Sequence, residues 1–487
     1  MTAWGKGLAL AVAFAGVVAL VVWLGIAWNS SRVPGSFGAL ELGPTDSGGG
    51  APVARHEHHV GGRGMSVVAL REPKAPPDVR IRLVAQTAEI RLPSGRTVNA
   101  LTFNGRVPGP ELRVQEGDLV EATLVNKNVS DGVSIHWHGV DLPNAEDGVS
   151  GVTQDEVLPG GSYVYRFRAP YAGTYWYHSH QHSADEVERG LYGALVVLPR
   201  SSAETTDIVA LAHTLNGVPL LNSSDREERR RVPAGTPLRL RLINSADVLR
   251  RFGLAGTTFR VVGIDGRDKL GGRVLDGESV AVPAGGRYDL AFRMPQNPVR
   301  LAVRGQEVGL VLDPGHGAPP EVHLGAEFDP ATYGAPAAPV PTRFDRHFAV
   351  NIGRKLGFFK GGMKLGWQWT INGKAFPNMP MYMLRAGETV EFSFSNKSHA
   401  AHPMHLHGHH MLVFARDGHR VIPWWSDTLE VNPGKRYDVA VIANNLGIWM
   451  FHCHNLPHAA QGLVTHVAYE GVSTPFVMGT ASGNEPE

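Results

Sequence analysis

The sequence predicts an all-β protein of three Greek-key β-sandwich or barrel units in a row, on three observations. Apolar and polar residues alternate in short runs such as Val79-Arg-Ile-Arg-Leu-Val84, Leu238-Arg-Leu-Arg-Leu-Ile243 and Val390-Glu-Phe-Ser-Phe394; period two is the pattern of half-buried strands. Glycine (58) and proline (34) make up nearly a fifth of the 487 residues, so reversals should be frequent and helices few and short. The chain also repeats itself.

The repeat is legible residue by residue. Leu112-Arg-Val-Gln-Glu-Gly-Asp-Leu-Val-Glu121 leads to Ile135-His-Trp-His-Gly139, and Leu384-Arg-Ala-Gly-Glu-Thr-Val-Glu391 leads to Met404-His-Leu-His-Gly408. The turns Val157-Leu-Pro-Gly-Gly-Ser-Tyr163 and Val431-Asn-Pro-Gly-Lys-Arg-Tyr437 follow, and nineteen residues after Pro159 and Pro433 stand the pairs His178/His180 and His452/His454. A middle copy, Val282-Pro-Ala-Gly-Gly-Arg-Tyr-Asp289, has no histidine pair. Self-similarity of this kind marks repeated structural units, expected at 79–200, 201–340 and 341–475 with a tail at 476–487.

Ahead of the repeats, residues 8–28 form a charge-free apolar run after Lys6. It is longer than the roughly 7–15 residues of a signal-peptide core and matches the roughly 20 needed to span a bilayer. Residues 1–29 are therefore expected to be a signal-anchor or a signal peptide, and the remainder to be exported: held at the membrane if the segment stays, secreted if it is cleaved. Residues 30–78, rich in Gly, Pro and Ser, are expected to be a flexible linker; its His56-Glu-His58-His59 reads as solvated side chains. The formal charge of +1 excludes a general electrostatic attraction to nucleic acid or to an acidic membrane surface. A single cysteine, Cys453, excludes an internal disulfide.

The chemistry lies in four histidine clusters: His136-Trp-His138, His178-Ser-His180, His402-Pro-Met-His405-Leu-His407 and His452-Cys453-His454 with His458. In extended chain, residues i and i+2 share a face, so each H-x-H pair presents two imidazoles to one site. In His452-Cys453-His454 the thiolate faces the opposite way, and one segment then serves two metal centres. One cysteinate with two histidines points to blue copper, and eight further histidines suit a copper cluster that binds O₂. His182, His409 and His410 read as surface extras, and the methionines of Pro377-Asn-Met-Pro-Met-Tyr-Met383 as core packing.

Residues 80–472 resemble the multicopper oxidases, the family of laccases, ascorbate oxidase and ceruloplasmin, through the motifs HWHG, HSH, HPMHLHG and HCHNLPH. The resemblance implies three cupredoxin-like domains and four copper ions. The type 1 copper would take His402, Cys453 and His458; the type 2 copper His136 and His405; the two type 3 coppers His138, His178, His180, His407, His452 and His454. The cluster would lie between the first and third domains. Where the family places an axial methionine, ten residues beyond Cys453, stands Leu463, which implies a three-coordinate copper of raised potential. A proton-relaying glutamate of some bacterial members is replaced by Ala459, whereas the carboxylate eleven residues after His136 is present as Asp147 and is expected to supply protons. Gln461 is the one polar group near Leu463.

The implied function is laccase-like: one-electron oxidation of phenols or aromatic amines near His458, coupled to four-electron reduction of O₂ to water. The alternative is a cuprous or other metallo-oxidase in copper tolerance. A copper nitrite reductase, with two domains and a mononuclear catalytic copper, is excluded by the eight cluster histidines.

Overall fold

The computed structural model describes residues 3–50, 64–72, 74–201, 205–359, 362 and 364–487. The motif His56–His59 lies outside them.

Strands dominate, as the alternation predicts. Thr389–Asn396 buries every second residue and Leu119–Asn126 nearly so: one face meets a second sheet and the other meets water. Three times the chain builds the same core of a sheet. Val79–Arg91, Thr206–Leu215 and Arg346–Phe358 each pair parallel with Leu119–Asn126, Pro237–Asn244 and Thr389–Asn396 respectively. Each of the latter then pairs antiparallel with the strand after its Pro-Gly turn, namely Ser162–Arg168, Arg287–Arg293 and Arg436–Ile442. Every repeat ends its central strand on a buried asparagine, Asn126, Asn244 or Asn396, whose amide donates to the carbonyl before the turn (Val157, Val282, Val431) and whose oxygen caps the next loop. A fully satisfied amide of this kind fixes the turn in place.

A second sheet packs on each of these. In the first repeat it is Leu112–Gln115, Tyr192–Leu198, Gly173–His178, His136–His138. In the third it is Thr45–Asp46, Met381–Leu384, Val464–Tyr469, Ile448–Cys453, His402–Leu406, Thr428–Val431. All four strands that carry residues of the histidine pairs thus belong to these two second sheets.

Among the described residues helices are short, Ser183–Glu188 and Leu456–Ala460, apart from Ala3–Ser30 at the amino end. The stretch Gly7–Ser30 of that helix is long and apolar enough to cross a membrane, and its apolar window is unburied; at its end Asn378 donates to the Ser30 carbonyl.

The linker expectation needs correction. Thr45–Asp46 adds a parallel edge strand beside Met381–Tyr382, Arg346 donates to the Ser47 carbonyl, Phe37 bridges to Met478, and Phe37, Ala39 and Val67 are buried. Met65–Ser66 pairs with Val472–Ser473. Gly/Pro-rich composition reports a weak local preference; an open sheet edge elsewhere in the chain supplies the hydrogen bonds that order it. The 476–487 tail is likewise docked, with Asn484 buried and the amide of His182 donating to Glu485.

Candidate metal centre

The third repeat presents its ligands through strand register. In the antiparallel pair His402–Leu406 and Ile448–Cys453, His405 lies opposite His452 and Met404 opposite Cys453. Opposed residues share a face and successive residues alternate, so His405, His407 and His452 point one way, His402 and Cys453 the other. The first repeat does the same with His136–His138, paired to Gly173–His178 with His136 opposite His178.

The eight imidazoles of His136, His138, His178, His180, His405, His407, His452 and His454 converge, all essentially buried. His136 and His405 bring their Nε2 atoms to 3.4 Å, and His407 and His452 to 3.1 Å. His180, His407 and His452 form one group of mutually close ligand atoms, as do His136, His138 and His178. The His454 ring centroid lies 4.8 Å from that of His138 and 5.5 Å from that of His178.

Outer hydrogen bonds set which nitrogen faces inward. Nδ1 of His136 donates to the Asp147 carbonyl (3.0 Å), of His405 to the Asp427 carbonyl (2.9 Å), of His178 to the Ser179 carbonyl (2.9 Å) and of His407 to the Asp147 carboxylate (3.0 Å). His452 Nδ1 faces Glu487 Oε1 at 2.9 Å. His138 is reversed: its Nε2 sits 3.1 Å from Thr428 Oγ1 and 3.3 Å from Asp427 Oδ1. The cluster nitrogens without a hydrogen-bond partner are His138 Nδ1, His178 Nε2, both nitrogens of His180 and His454, and, despite its proximity to Glu487, His452 Nδ1.

A buried polar atom without a partner costs roughly 1–3 kcal/mol, and this cluster holds several side by side. Burial, followed by their mutual repulsion, holds His138, His178, His180, His405 and His407 well below the ordinary imidazole range. They are neutral, with lone pairs aimed at a common space. Such a donor set fits metal ions and little else, and imidazoles suit copper, zinc, iron or nickel.

On the opposite face, His402 Nδ1 lies 3.6 Å and His458 Nδ1 3.8 Å from Cys453 Sγ. Burial holds the two imidazoles down to about 3 and about 4. The same burial pushes the Cys453 thiol well up, so only a bound cation can draw its proton off. Ser398 Oγ, 2.9 Å from His402 Nε2, fixes that ring. Trp369 walls the site, with centroids 4.7 Å from His402 and 4.4 Å from His458, and its indole donates to Gln461 Oε1, which takes that amide away from the sulfur. Leu463 is fully buried; its amide donates to the His458 carbonyl and its carbonyl accepts from the Cys453 amide, both at 3.0 Å.

The structure thus brings together all eleven sequence-predicted ligands in two groups, with Asp147 beneath His136 and His407. Sequence reasoning missed Asp427, Thr428 and Arg287. Arg287, from the middle repeat, is fully buried and bidentate to Asp427 (2.7 and 2.6 Å), and a Cβ on the neighbouring Gly285 would strike His454. The unit without histidine pairs therefore buttresses the cluster. His409 and His410, expected at the surface, are buried. His410 bridges Asp141 and the Asp265 carbonyl.

The family described as multicopper oxidase matches residues 85–202 and 354–471. The chain is 28% identical over 462 residues to the multicopper oxidase MmcO of Mycobacterium tuberculosis, covering 82% of this chain and 88% of that one. It is 47% identical over 104 residues to a copper resistance protein A homolog of Pseudomonas syringae, covering 21% and 17%. Among solved structures, Lac15 from a marine microbial metagenome is 30% identical, with 80% of this chain and all of that chain covered at a TM-score of 0.60. With the two groups of metal-seeking donors described above, these similarities show that the chain belongs to the multicopper oxidase family, copper-dependent oxidoreductases with O₂ as acceptor.

Proposed function

We propose that this is a laccase-type oxidase holding four coppers. His402, Cys453 and His458 would hold the type 1 ion, His136 and His405 the type 2 ion, and His138, His178, His180, His407, His452 and His454 the type 3 pair. When bound, copper supplies the one-electron chemistry that joins oxidation of a reductant to reduction of O₂. The observation that carries this reading is the strand Ile448–Cys453, which serves both groups from opposite faces.

The chain's own residues divide the remaining work. His458 is half-buried, with exposed Trp367 and Arg354 stacked on Trp367 and Trp369 beside it; this aromatic, cation-decorated edge suits a planar phenol or aromatic amine. The peptide linking Cys453 to His452 and His454 is a short covalent route between the two groups. Asp147 fixes His136 and His407 and is the carboxyl group set to pass protons towards O₂. Leu463 excludes water from the sulfur side. The Gly7–Ser30 helix, whose apolar window is unburied, supports an exported enzyme held to a membrane or released by cleavage.

The test is metal analysis with steady-state oxidation of a bulky phenol against Cu(I), each coupled to O₂ uptake. Faster turnover of the phenol supports the laccase reading. Turnover of Cu(I) alone replaces it with the copper-tolerance oxidase that the similarity to the copper resistance protein favours.

A further inference from the structure

One cavity, which shares Glu487 with the outer contacts of His452, and one polar side chain have no role in what is assigned above. The cavity, of about 170 Å³, lies between the second sheet of the third repeat and the two docked terminal segments; Phe37 and Met478 form part of its cover. It is built by register. Met450 lies directly opposite His466 in the antiparallel pair of Ile448–Cys453 and Val464–Tyr469. On the other side of Val464–Tyr469 runs Met381–Leu384, parallel, with Tyr382 opposite Val467, which puts Met381 level with His466. Residues opposite one another share a face, about 5 Å apart at Cβ. Met381, His466 and Met450 therefore form a row across three neighbouring strands, on the face that also carries His452.

The histidine in this row is anomalous. His466 is nine-tenths buried, its Nε2 has no protein partner, and it lines the cavity. A core that needed only filling would place an aliphatic residue here and avoid the cost of an unpaired nitrogen, roughly 1–3 kcal/mol. Instead the nitrogen faces a space rimmed by thioethers, with Met379 and Met478 adding two more. Thioethers neither donate a proton nor hold hard cations; with imidazole they select soft ions of the Cu(I) type. Methionine's three rotatable bonds let the sulfurs close on an ion from cross-strand positions.

We infer that this cavity is a binding site for one soft monovalent cation, Cu(I) or Ag(I), held by Met381, Met450 and His466. None of the three belongs to the eleven ligands assigned above, so the site is separate from the two copper groups and independent of which reductant the enzyme oxidises.

Ag(I) is the probe, because it shares the coordination preference of Cu(I) and is redox-silent. The copper-loaded protein is counted for copper, titrated with silver nitrate in chloride-free buffer, gel-filtered and counted for silver, with the blue absorption monitored throughout. The copper count before titration reads the resident-site assignment by itself, so failure of that assignment and of this one are distinguishable. The expected result is one silver retained per chain with the absorption unchanged. The volume-conserving double variant Met381→Leu/Met450→Leu, and separately His466→Gln, should each weaken silver binding at least tenfold while keeping copper and colour. No retained silver in the wild type, silver taken up only as the blue absorption disappears, or undiminished binding in His466→Gln or in a folded double variant overturns the proposal.

Discussion

On the proposed ligand assignment, Leu463 is the residue on which the electronic character of the type 1 site would turn. A thioether in its place would donate electron density and stabilise Cu(II); an aliphatic side chain does not, and its burial keeps the site dry, which further disfavours the more highly charged ion. Leu463→Met is expected to lower the reduction potential and slow oxidation of poor reductants with copper retained; a redox titration showing no fall would remove Leu463 from the axial position. At Asp147 the carboxylate accepts from His407 Nδ1, and its carbonyl, which no side-chain substitution removes, accepts from His136. Asp147→Asn should therefore hold copper while turnover drops by a hundredfold or more, in the range of a lost acid–base group; copper analysis beside O₂-uptake rates checks it. His213, outside the metal groups, bears on acid stability. It is buried against Ser245 and burial holds it down to about 4. Below about 6.5 the unfolded chain takes a proton there that the folded chain refuses, so stability is present above that pH and falls as pH drops towards 4, by up to about 1.4 kcal/mol per pH unit. His213→Gln should flatten the acid limb of a denaturation-against-pH curve.

Elements differ in how far the sequence speaks for them. H-x-H on an extended strand is legible because side-chain alternation is local, and the opposed faces of Cys453 and His452 follow from it; the register that puts His405 opposite His452 bears the expectation out. Residues 31–50 are another matter. Their order comes from the free edge of Met381–Leu384 and from Arg346, some three hundred residues away, and no local pattern announces a distant partner. Phe37→Ala is expected to cost about 3 kcal/mol in chemical denaturation, the range for a buried phenylalanine, where a flexible tether would show no change. The same limit explains His409 and His410. Two histidines after a glycine look like solvent-facing residues until Tyr469 of the same unit takes up His409 and Asp141 and Asp265 of the other two take up His410.

Across the whole molecule the repeat was legible, and with it the pairing of first and third units about a cluster. The use of the middle unit was not. The residue before the turn tyrosine is Ser162, Arg287 and Arg436 in the three copies; only packing of all three units buries Arg287 and places it on Asp427. Removing one partner of a buried ion pair leaves the other uncompensated, at about 3–5 kcal/mol. Arg287→Met should destabilise the fold by that amount and reduce copper retention, read by denaturation and metal content together, although no candidate ligand has been touched. The central claim is that two donor groups, eight histidines on one face and His402, Cys453 and His458 on the other, hold four coppers served by one strand. Copper per chain with the visible absorption, in the wild type and in Cys453→Ser, tests it most directly. Four coppers with an intense blue band, falling to three coppers and no blue band in the variant, is the predicted result. A colourless, zinc-loaded wild type with Cys453 intact, or a blue band that survives Cys453→Ser, would contradict it.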